Sequence, residues 1–257
     1  MGEFDREIDY GKEIDRISQW IKKYVKKSGV KGIVVGLSGG LDSAVVACLS
    51  VKAVGKENVI GVTLPCNSSP DTVIDAESLS HNLDISFSTM GLFSTFKEVI
   101  DAIKETYKKE VQNLTQANIK ARLRMVALYA IANQNNMLVA GTGNLSELMI
   151  GYCTKYGDGG VDIEPIGNYY KTEVYKMAKL LPDIPKSTLI KPPSADLWAG
   201  QTDEAEIGMT YAELDTILIN IGTAGEKLLE QKKIDKVKLM IKKAEHKNNV
   251  PPRYERY

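Results

Sequence analysis

A glycine-rich turn near the start of the chain has the residue types of a phosphate-binding loop. The apolar run Ile33 to Val35 predicts a buried strand, and the apolar residues from Leu41 to Val54 predict a helix. Glycines let a backbone approach an anion closely, while the free N–H groups and the dipole of a helix N-terminus attract negative charge. The turn lacks the Gly-Lys-Ser/Thr of a Walker loop. The segment that we expect to bind phosphate comprises Gly36, Leu37, Ser38, Gly39, Gly40, Leu41, Asp42 and Ser43.

A structural explanation of this turn is the alternative. Ser38 and Ser43 could cap an ordinary helix, with Asp42 stabilising the helix dipole. The full motif in a strand–turn–helix context favours phosphate binding over this alternative.

Two carboxylates suit a magnesium ion. Asp42 lies in the first helical turn after the phosphate loop, and Glu147 opens a short helix after Gly141-Thr142-Gly143-Asn144. Because Mg²⁺ takes one or two carboxylates plus phosphate oxygens, Asp42 and Glu147 could share one ion if the two strand ends adjoin. Glu147 could instead only stabilise its own helix. Thr142 would face the adenosine side of a nucleotide, or be an ordinary strand-end hydroxyl.

The segment from Gly151 to Gly167 is polar, glycine-rich and irregular, which is typical of a functional loop. Lys155 lies within it and Lys171 follows it. The ordinary explanation of such lysines is a solvated surface charge, and their flanking glycines and carboxylates shift the interpretation modestly toward anion clamps. Judged from residue types alone, the remaining basic candidates are typical of helix surfaces, where they are solvated or pack their stems: Arg122, His246 and Lys247.

Alternating strands and helices must position these residues. Apolar patterns predict strands at 33–35, 59–64, 85–88 and 137–140, and helices at 14–28, 41–54, 70–83, 92–103, 117–132, 171–181, 211–218 and 234–244. This alternation implies an α/β fold: a doubly wound parallel sheet with helices on both faces, followed by C-terminal helices. Ligands of such sheets lie beyond the carboxyl ends of the strands, where the strand order reverses. We therefore expect the strand ends at Val35 and Ala140 to adjoin.

Composition excludes several classes of function. Lys and Arg together number 33, as do Asp and Glu, so no net charge draws the chain to nucleic acid or to an anionic membrane. No apolar run is long enough to cross a bilayer, and Met1 to Asp15 is charged rather than signal-like. The 3 cysteines form no Cys-x-x-Cys pair, which argues against disulfides and a zinc ribbon. We expect a cytoplasmic protein.

Four further motifs accompany Ser38-Gly39-Gly40-Leu41-Asp42-Ser43. They are Thr154-Lys155-Tyr156-Gly157-Asp158-Gly159-Gly160-Val161-Asp162, Lys191-Pro192-Pro193-Ser194-Ala195-Asp196-Leu197, Gln201-Thr202-Asp203-Glu204 and Glu245-His246-Lys247. Over nearly the whole chain, these motifs resemble the ammonia-dependent NAD synthetases of the ATP pyrophosphatase superfamily, whose fold is adenine nucleotide alpha hydrolase-like.

The resemblance implies a reaction in two steps. The nicotinate carboxylate of deamido-NAD attacks the α-phosphorus of ATP and releases pyrophosphate, and ammonia then displaces AMP to give NAD. It also implies a single synthetase domain over residues 1–257 without a glutaminase domain, a requirement for Mg²⁺, and a homodimer with the dinucleotide near the subunit interface.

The resemblance also assigns roles to individual residues. Asp42, Asp158 and Lys171 are implied to be catalytic, with Asp158 beside the incoming ammonia. Asp42 and Glu147 are implied to bind Mg²⁺. The implied ATP contacts are the loop from Gly36 to Ser43 with Thr142, Lys171 and Ser194. The implied deamido-NAD contacts are Arg122, Lys155, Asp162, His246 and Lys247.

Two positions depart from the family pattern. Ser194 stands where many relatives have Thr, which keeps the hydroxyl. Tyr152 stands where Phe is common beside the nicotinate ring, which keeps the stacking and adds a hydroxyl. The segment from Pro182 to Ile207 combines prolines, glycines and little periodicity, and it predicts a lid that closes over bound nucleotide.

Two rival functions remain open at this point. A tRNA-modifying enzyme of the same superfamily would want a basic patch or paired cysteines, and the chain has a net charge of 0 and no paired thiols. A non-catalytic nucleotide-binding module would need the phosphate loop, but not Asp158, Asp162, Lys171 and the lid segment together.

Overall fold

The sheet of the protein is parallel and places the phosphate loop at its centre. The computed structural model describes residues 8–194 and 202–254. Its strands β1 (Gly32–Gly36), β2 (Val59–Thr63), β3 (Ser86–Thr89) and β4 (Met137–Ala140) have the order β3-β2-β1-β4. Val35 is in register with Gly61 on one side and Ala140 on the other. The strand order therefore reverses at β1, which confirms that the ends of β1 and β4 adjoin.

Helices occupy both faces of the sheet and the end of the chain. In the described residues they are α1 (Tyr10–Ser28), α2 (Leu41–Val54), α3 (Pro70–Leu83), α4 (Phe93–Tyr107), α5 (Asn113–Asn135), α6 (Leu145–Ile150), α7 (Lys171–Ala178), α8 (Lys186–Ile190), α9 (Asp203–Ile207), α10 (Tyr211–Asn220) and α11 (Gln231–Asn248), with 3₁₀ turns at Lys56–Asn58 and Ala224–Leu228. None of these helices has the length and apolar composition needed to cross a membrane.

The side chains on the two faces of β1 pack into two separate hydrophobic cores. Side chains alternate across a strand, so Ile33 and Val35 pack with α1, α2, α3 and α7, while Val34 packs with α4 and α5. All three side chains have no exposed surface. Helices therefore cover both faces of this parallel sheet, which confirms the predicted doubly wound sheet. A strand buried on both faces must be apolar throughout, as β1 is.

The ends of α1 follow from local chemistry. The Asp9 side chain accepts a hydrogen bond from Lys12 N, and Gly29 takes the left-handed conformation (φ 68°) after the last turn. Between these caps, the buried stripe is the predicted one: Ile14, Ile17, Ile21 and Val25.

A third core joins the C-terminal helices to α6. It includes Ile150, Leu214 and Ile234, and it packs α11 against α6 and α10. The predicted C-terminal helices are confirmed, and their packing brings the end of α11 to the irregular segment after α6.

The segment from Pro182 to Ile207 contains two short helices, α8 and α9. Residues 195–201 within it lie outside the described residues, and with them Ala195, Asp196, Leu197 and Gln201 of the family motifs. Closure of this segment as a lid therefore stays a prediction.

Candidate active site

The phosphate loop has a conformation that only glycine permits at Gly39. Its φ is 72°, and a Cβ there would lie 2.5 Å from the carbonyl oxygen of Thr72. Ser43 Oγ donates to Gly40 O (2.9 Å) and accepts from Ser38 N (3.3 Å). These bonds tie the serines to the loop itself, and Gly40 begins α2 without a side-chain cap. The N-terminal N–H groups of α2 therefore keep their capacity to bind an anion, and the alternative of a serine cap is wrong.

Three charged side chains meet where the ends of β1 and β4 adjoin. Lys171 Nζ forms an ion pair with Asp42 and lies 3.8 Å from Glu147 Oε1. The Lys171 side chain is only 4% exposed. Asn144 Nδ2 donates to Asp42 Oδ1 (3.2 Å) and links the two helix N-termini. The structure thus brings together Asp42, Glu147 and Lys171 as predicted.

Glu147 has a structural and a polar role at once. It completes a capping box, in which Glu147 N donates to Asn144 Oδ1 (3.1 Å) and Asn144 N donates to Glu147 Oε2 (3.3 Å). The other carboxylate oxygen, Oε1, faces Lys171 and the hydroxyl of Tyr211 (3.2 Å). Stabilising its own helix and offering an oxygen to Mg²⁺ are therefore compatible roles for Glu147.

Burial and charge set the protonation of this cluster. Burial, followed by the neighbouring Asp42, raises the pKa of Glu147 to about 8. Burial alone would lower the pKa of Lys171, but Asp42 and Glu147 outweigh it and raise that pKa, so the ammonium stays charged. At neutral pH the cluster therefore holds a charged Lys171 ammonium beside a Glu147 carboxyl that largely keeps its proton.

The donor set fits a divalent ion that also binds phosphate. Asp42 and Glu147 already flank one cation, the Lys171 ammonium, and both offer carboxylate oxygens. Within residues 8–194 and 202–254, no three His, Cys, Asp or Glu side chains are arranged to hold a metal by themselves. This pair agrees with Mg²⁺, which uses one or two carboxylates and takes its remaining ligands from phosphate and water.

The short helix α9 reaches the same cluster through two tyrosines. The Tyr152 hydroxyl donates to Asp203 Oδ1 (3.1 Å) and Glu206 Oε2 (2.6 Å), and the Tyr211 hydroxyl lies 3.3 Å from Asp203 Oδ2. The sequence did not identify Asp203, Glu206 and Tyr211 as site residues. The Gln201-Thr202-Asp203-Glu204 motif was the available signal for Asp203.

The loop after α6 forms a second cluster. Asp158 Oδ1 accepts from Thr154 N (2.9 Å). The residue is exposed in the loop, yet the protein packed around its carboxyl displaces water and raises its pKa. Lys247 Nζ donates to Gly151 O and Cys153 O, both at 2.7 Å. This ammonium fixes the start of the loop to α11.

Two further basic residues attach to the same loop. Lys155 Nζ donates to His246 O, and Arg122 donates through Nε and a terminal nitrogen to Lys155 O, both at 3.3 Å. The structure therefore gathers four of the proposed deamido-NAD contacts around one loop: Arg122, Lys155, His246 and Lys247.

Asp162 has a different environment from these four. Its Oδ2 accepts from Val139 N (2.8 Å) and its Oδ1 from the Tyr129 hydroxyl (3.1 Å). These bonds hold the segment beside β4, where Ile163 also bridges to Ala140. Asp162 thus organises the sheet edge next to the basic cluster.

Thr142 and Ser194 are the two remaining predicted ATP residues. Thr142 follows the end of β4 and is partly exposed, and Ser194 is exposed after α8. Pro193 O, next to Ser194, accepts from Asp203 N (3.0 Å). The chain on either side of residues 195–201 is therefore joined by a hydrogen bond.

Glu164 is a carboxylate that sequence reasoning missed. A Cβ at Gly141 would lie 2.5 Å from its Oε2, and that oxygen is buried without a hydrogen-bond partner among the described residues. Burial raises the pKa of Glu164 to about 8. The signal in the sequence was the Gly141-Thr142-Gly143 turn, whose glycines make room for this carboxyl.

The comparisons agree on one family. The model of NAD synthase matches residues 13–251. An NH₃-dependent NAD⁺ synthetase of Methanosarcina mazei is 43% identical over 252 residues, covering 95% of this chain and 97% of the relative. An NMN synthetase structure from Francisella tularensis aligns with a TM-score of 0.88 at 34% identity, covering 96% of this chain and 99% of that one. An NH₃-dependent NAD synthetase structure from Campylobacter jejuni, in complex with nitrate, aligns with a TM-score of 0.80 at 30% identity, covering 96% and 100%. The chain therefore belongs to the NAD synthase family.

Proposed function

We propose that this protein is an ammonia-dependent NAD synthetase, which converts deamido-NAD, ATP and ammonia into NAD, AMP and pyrophosphate. The observation that carries the proposal is the contact of Lys171 with Asp42 and Glu147 at the end of the phosphate loop. A buried cation between two carboxylates, beside the N-terminus of α2, suits a reaction that moves charge onto pyrophosphate.

The first half-reaction needs ATP held by its phosphates. The loop from Gly36 to Ser43 and the free end of α2 would bind the phosphates, while Thr142 and Ser194 would contact the rest of the nucleotide. Lys171 would leave Asp42 for the leaving pyrophosphate, whose negative charge it stabilises. A carboxylate is a poor acyl donor because oxide is a poor leaving group. Once the carboxylate is adenylated, AMP is the leaving group instead.

Asp42 and Glu147 would hold Mg²⁺ in this step. Bound there, the ion supplies charge neutralisation at the phosphates. Asn144 supports the same geometry because its amide orients Asp42 (3.2 Å) while its backbone orients Glu147.

The second half-reaction needs ammonia at the acyl carbon. Asp158 would bind NH₄⁺ and accept its proton, and the surroundings that raise its pKa make it a stronger base than an ordinary aspartate. The C–N bond then forms as the C–O bond to AMP breaks. No covalent nucleophile is required.

The basic loop cluster is the proposed site for deamido-NAD. Arg122, Lys155, His246 and Lys247 would contact its phosphates and sugars, with Asp162 at the neighbouring sheet edge. Tyr152 would stack on the nicotinate ring. A cytoplasmic homodimer with this site near the interface fits the exposed apolar side chains Leu114 and Val126 on α5.

Nicotinate mononucleotide is the second candidate substrate, because the Francisella tularensis structure of TM-score 0.88 is described as an NMN synthetase. Steady-state kinetics with each acid, at saturating ATP and ammonium, distinguish the two. We expect kcat/KM to favour deamido-NAD, since curated relatives above 40% identity are named NAD synthetases. A higher kcat/KM for the mononucleotide would contradict this choice.

Pyrophosphate release with and without the acid tests the wider proposal. Release that depends on deamido-NAD supports a synthetase. A nucleotide-binding module would release none, and a tRNA-modifying enzyme would require RNA in place of the dinucleotide.

A further inference from the structure

Helix α3 touches two parts of the proposed ATP site that are far apart in the chain. Near its start, Thr72 packs against the phosphate loop. Its carbonyl oxygen lies 2.5 Å from the position that a Cβ at Gly39 would occupy. One turn later, Asp75 binds the segment that leads to Ser194. Thr72 and Asp75 are both 8% exposed and, three residues apart, share one face of the helix.

Asp75 uses both carboxylate oxygens on this segment. Its Oδ1 accepts from Ser187 Oγ (2.8 Å) and its Oδ2 from Lys191 Nζ (2.9 Å). The Asp75 side chain is 11% exposed and that of Lys191 is 30% exposed, so water screens this pair less than a surface ion pair. These bonds hold α8 and the first residue of the Lys-Pro-Pro-Ser motif in place.

The motif itself can transmit the position of Lys191 to Ser194. Lys191 ends α8 in an extended conformation (φ −66°, ψ 134°), as expected before proline. Pro192 and Pro193 have fixed φ angles and make a stiff spacer. At its far end, Pro193 O accepts from Asp203 N (3.0 Å).

We propose that Asp75 is a positioning residue for ATP, which acts through Lys191 to hold Ser194 at a fixed place relative to the phosphate loop. The inference rests on the proposed function only in taking Ser194 as an ATP contact. Asp75 itself touches the protein and not the nucleotide. Its loss should weaken ATP binding and leave the chemistry intact.

The test is the affinity of the full-length protein for α,β-methylene ATP, measured by calorimetry, together with the steady-state constants. Asp75→Asn keeps an oxygen for Ser187 and removes the charge that binds Lys191. Since a hydrogen bond to a charged group is worth enough to change an equilibrium about tenfold, we expect the dissociation constant and the KM for ATP to rise about tenfold. We expect kcat at saturating ATP and the KM for deamido-NAD to stay within about twofold.

A second variant and a control separate positioning from general loosening. Lys191→Met should reproduce the effect, and the double variant should be no worse than either single one, because both remove the same interaction. Asn82→Ala is the control: Asn82 lies on α3 and donates to Asp183 O (2.9 Å), but it does not touch Lys191. This control should leave ATP affinity unchanged.

Three results would overturn the inference. They are ATP affinity within about twofold of wild type in both Asp75→Asn and Lys191→Met, additive effects in the double variant, or equal weakening in Asn82→Ala. If Asp75→Asn does not fold, Lys191→Met decides the question. Because the analogue reports binding without turnover, a wild-type protein that binds it but makes no NAD would refute the proposed function and leave this inference standing.

Discussion

Lys171 forms a buried ion pair with Asp42, although the two residues lie 129 positions apart in the chain. The pair exists because β1 and β4 are neighbours, so that the helix after β1 and the chain following β4 converge at one edge of the sheet. The same ammonium lies 3.8 Å from Glu147. Lys171 therefore lies against both carboxylates that we propose as ligands of Mg²⁺.

Removal of Lys171 should make the protein's stability depend on magnesium. Lys171→Met leaves Asp42 and Glu147 buried beside each other without their cation, and breaking a buried ion pair costs about 3–5 kcal/mol. We expect a lower Tm in EDTA, and a larger rise on adding Mg²⁺ than the wild-type protein shows. Thermal unfolding in EDTA and in Mg²⁺ measures both.

A control for this experiment is Lys233→Met, which removes an ion pair with Glu213 between α10 and α11 (2.6 Å). Its Tm should respond to Mg²⁺ as the wild-type protein does. An identical magnesium response in Lys171→Met and Lys233→Met would contradict the placement of the ion between Asp42 and Glu147.

The sequence predicts the bounds of a helix well where one apolar stripe or one glycine turn determines them. Helix α2 runs from Leu41 to Val54 as its periodicity indicates, and α1 ends before Gly29. The sequence predicts that helix α7 reaches Leu181, but the helix ends at Ala178. Beyond this point N–H groups of the chain bond to carbonyls three residues earlier, which forms tight turns in place of an α-helix.

Tertiary packing decides what periodicity cannot. On α5 the charged Lys120 is 7% exposed while Val126 is 57% exposed, the reverse of what residue types predict. Lys120 is buried because its ammonium lies over the Phe96 ring of α4, at 5.3 Å. Likewise, the bond from Tyr152 to Asp203 joins residues 51 positions apart, and no local pattern encodes it.

The stability of the protein should depend on pH through Glu164. The pKa of this carboxyl is about 8 in the folded protein, raised chiefly by burial, against 4.5 as the ordinary value. Between these pH values the native state binds more protons than the unfolded state, so stability falls as pH rises and the loss is complete above about pH 8. The penalty is on the order of a few kcal/mol.

Glu164→Gln removes that penalty. We expect its Tm relative to wild type to increase from pH 5 to pH 9 in a series of thermal unfolding curves. Glu98→Gln, at an exposed position on α4, is the control and should show no such trend. A constant difference in Tm across the series would show that the Glu164 carboxyl does not titrate in this range.

Ammonium, and not glutamine, should support NAD formation. Glutamine hydrolysis would need a thiolate, yet burial raises the pKa of Cys48 to about 12 and that of Cys153 to about 11, and it also raises the pKa of Cys66. All three thiols are therefore protonated at neutral pH. The measurement is NAD yield from the pure protein with ammonium or with ammonia-free glutamine; equal yields would refute this prediction.

Asp158 and Asp42 should separate the two half-reactions. Asp42 lies in the first turn of α2 beside Lys171, so it is needed from the first step, when pyrophosphate leaves. Asp158 lies in the loop after α6 and is held there by Thr154 N (2.9 Å), where it would receive the ammonium. Asp42→Asn should therefore lose both pyrophosphate release and NAD formation.

Asp158→Asn should lose only the second step. The amide still accepts the hydrogen bond from Thr154 N, but it can neither balance the charge of NH₄⁺ nor take its proton. We expect single-turnover pyrophosphate release close to wild type, and NAD formation that falls at least a hundredfold at low ammonium, the usual scale of a lost general base. Because free NH₃ increases with pH, part of the NAD yield should return between pH 8 and pH 10. If Asp158→Asn loses pyrophosphate release as fully as Asp42→Asn, then Asp158 serves nucleotide binding and the ammonia role is wrong.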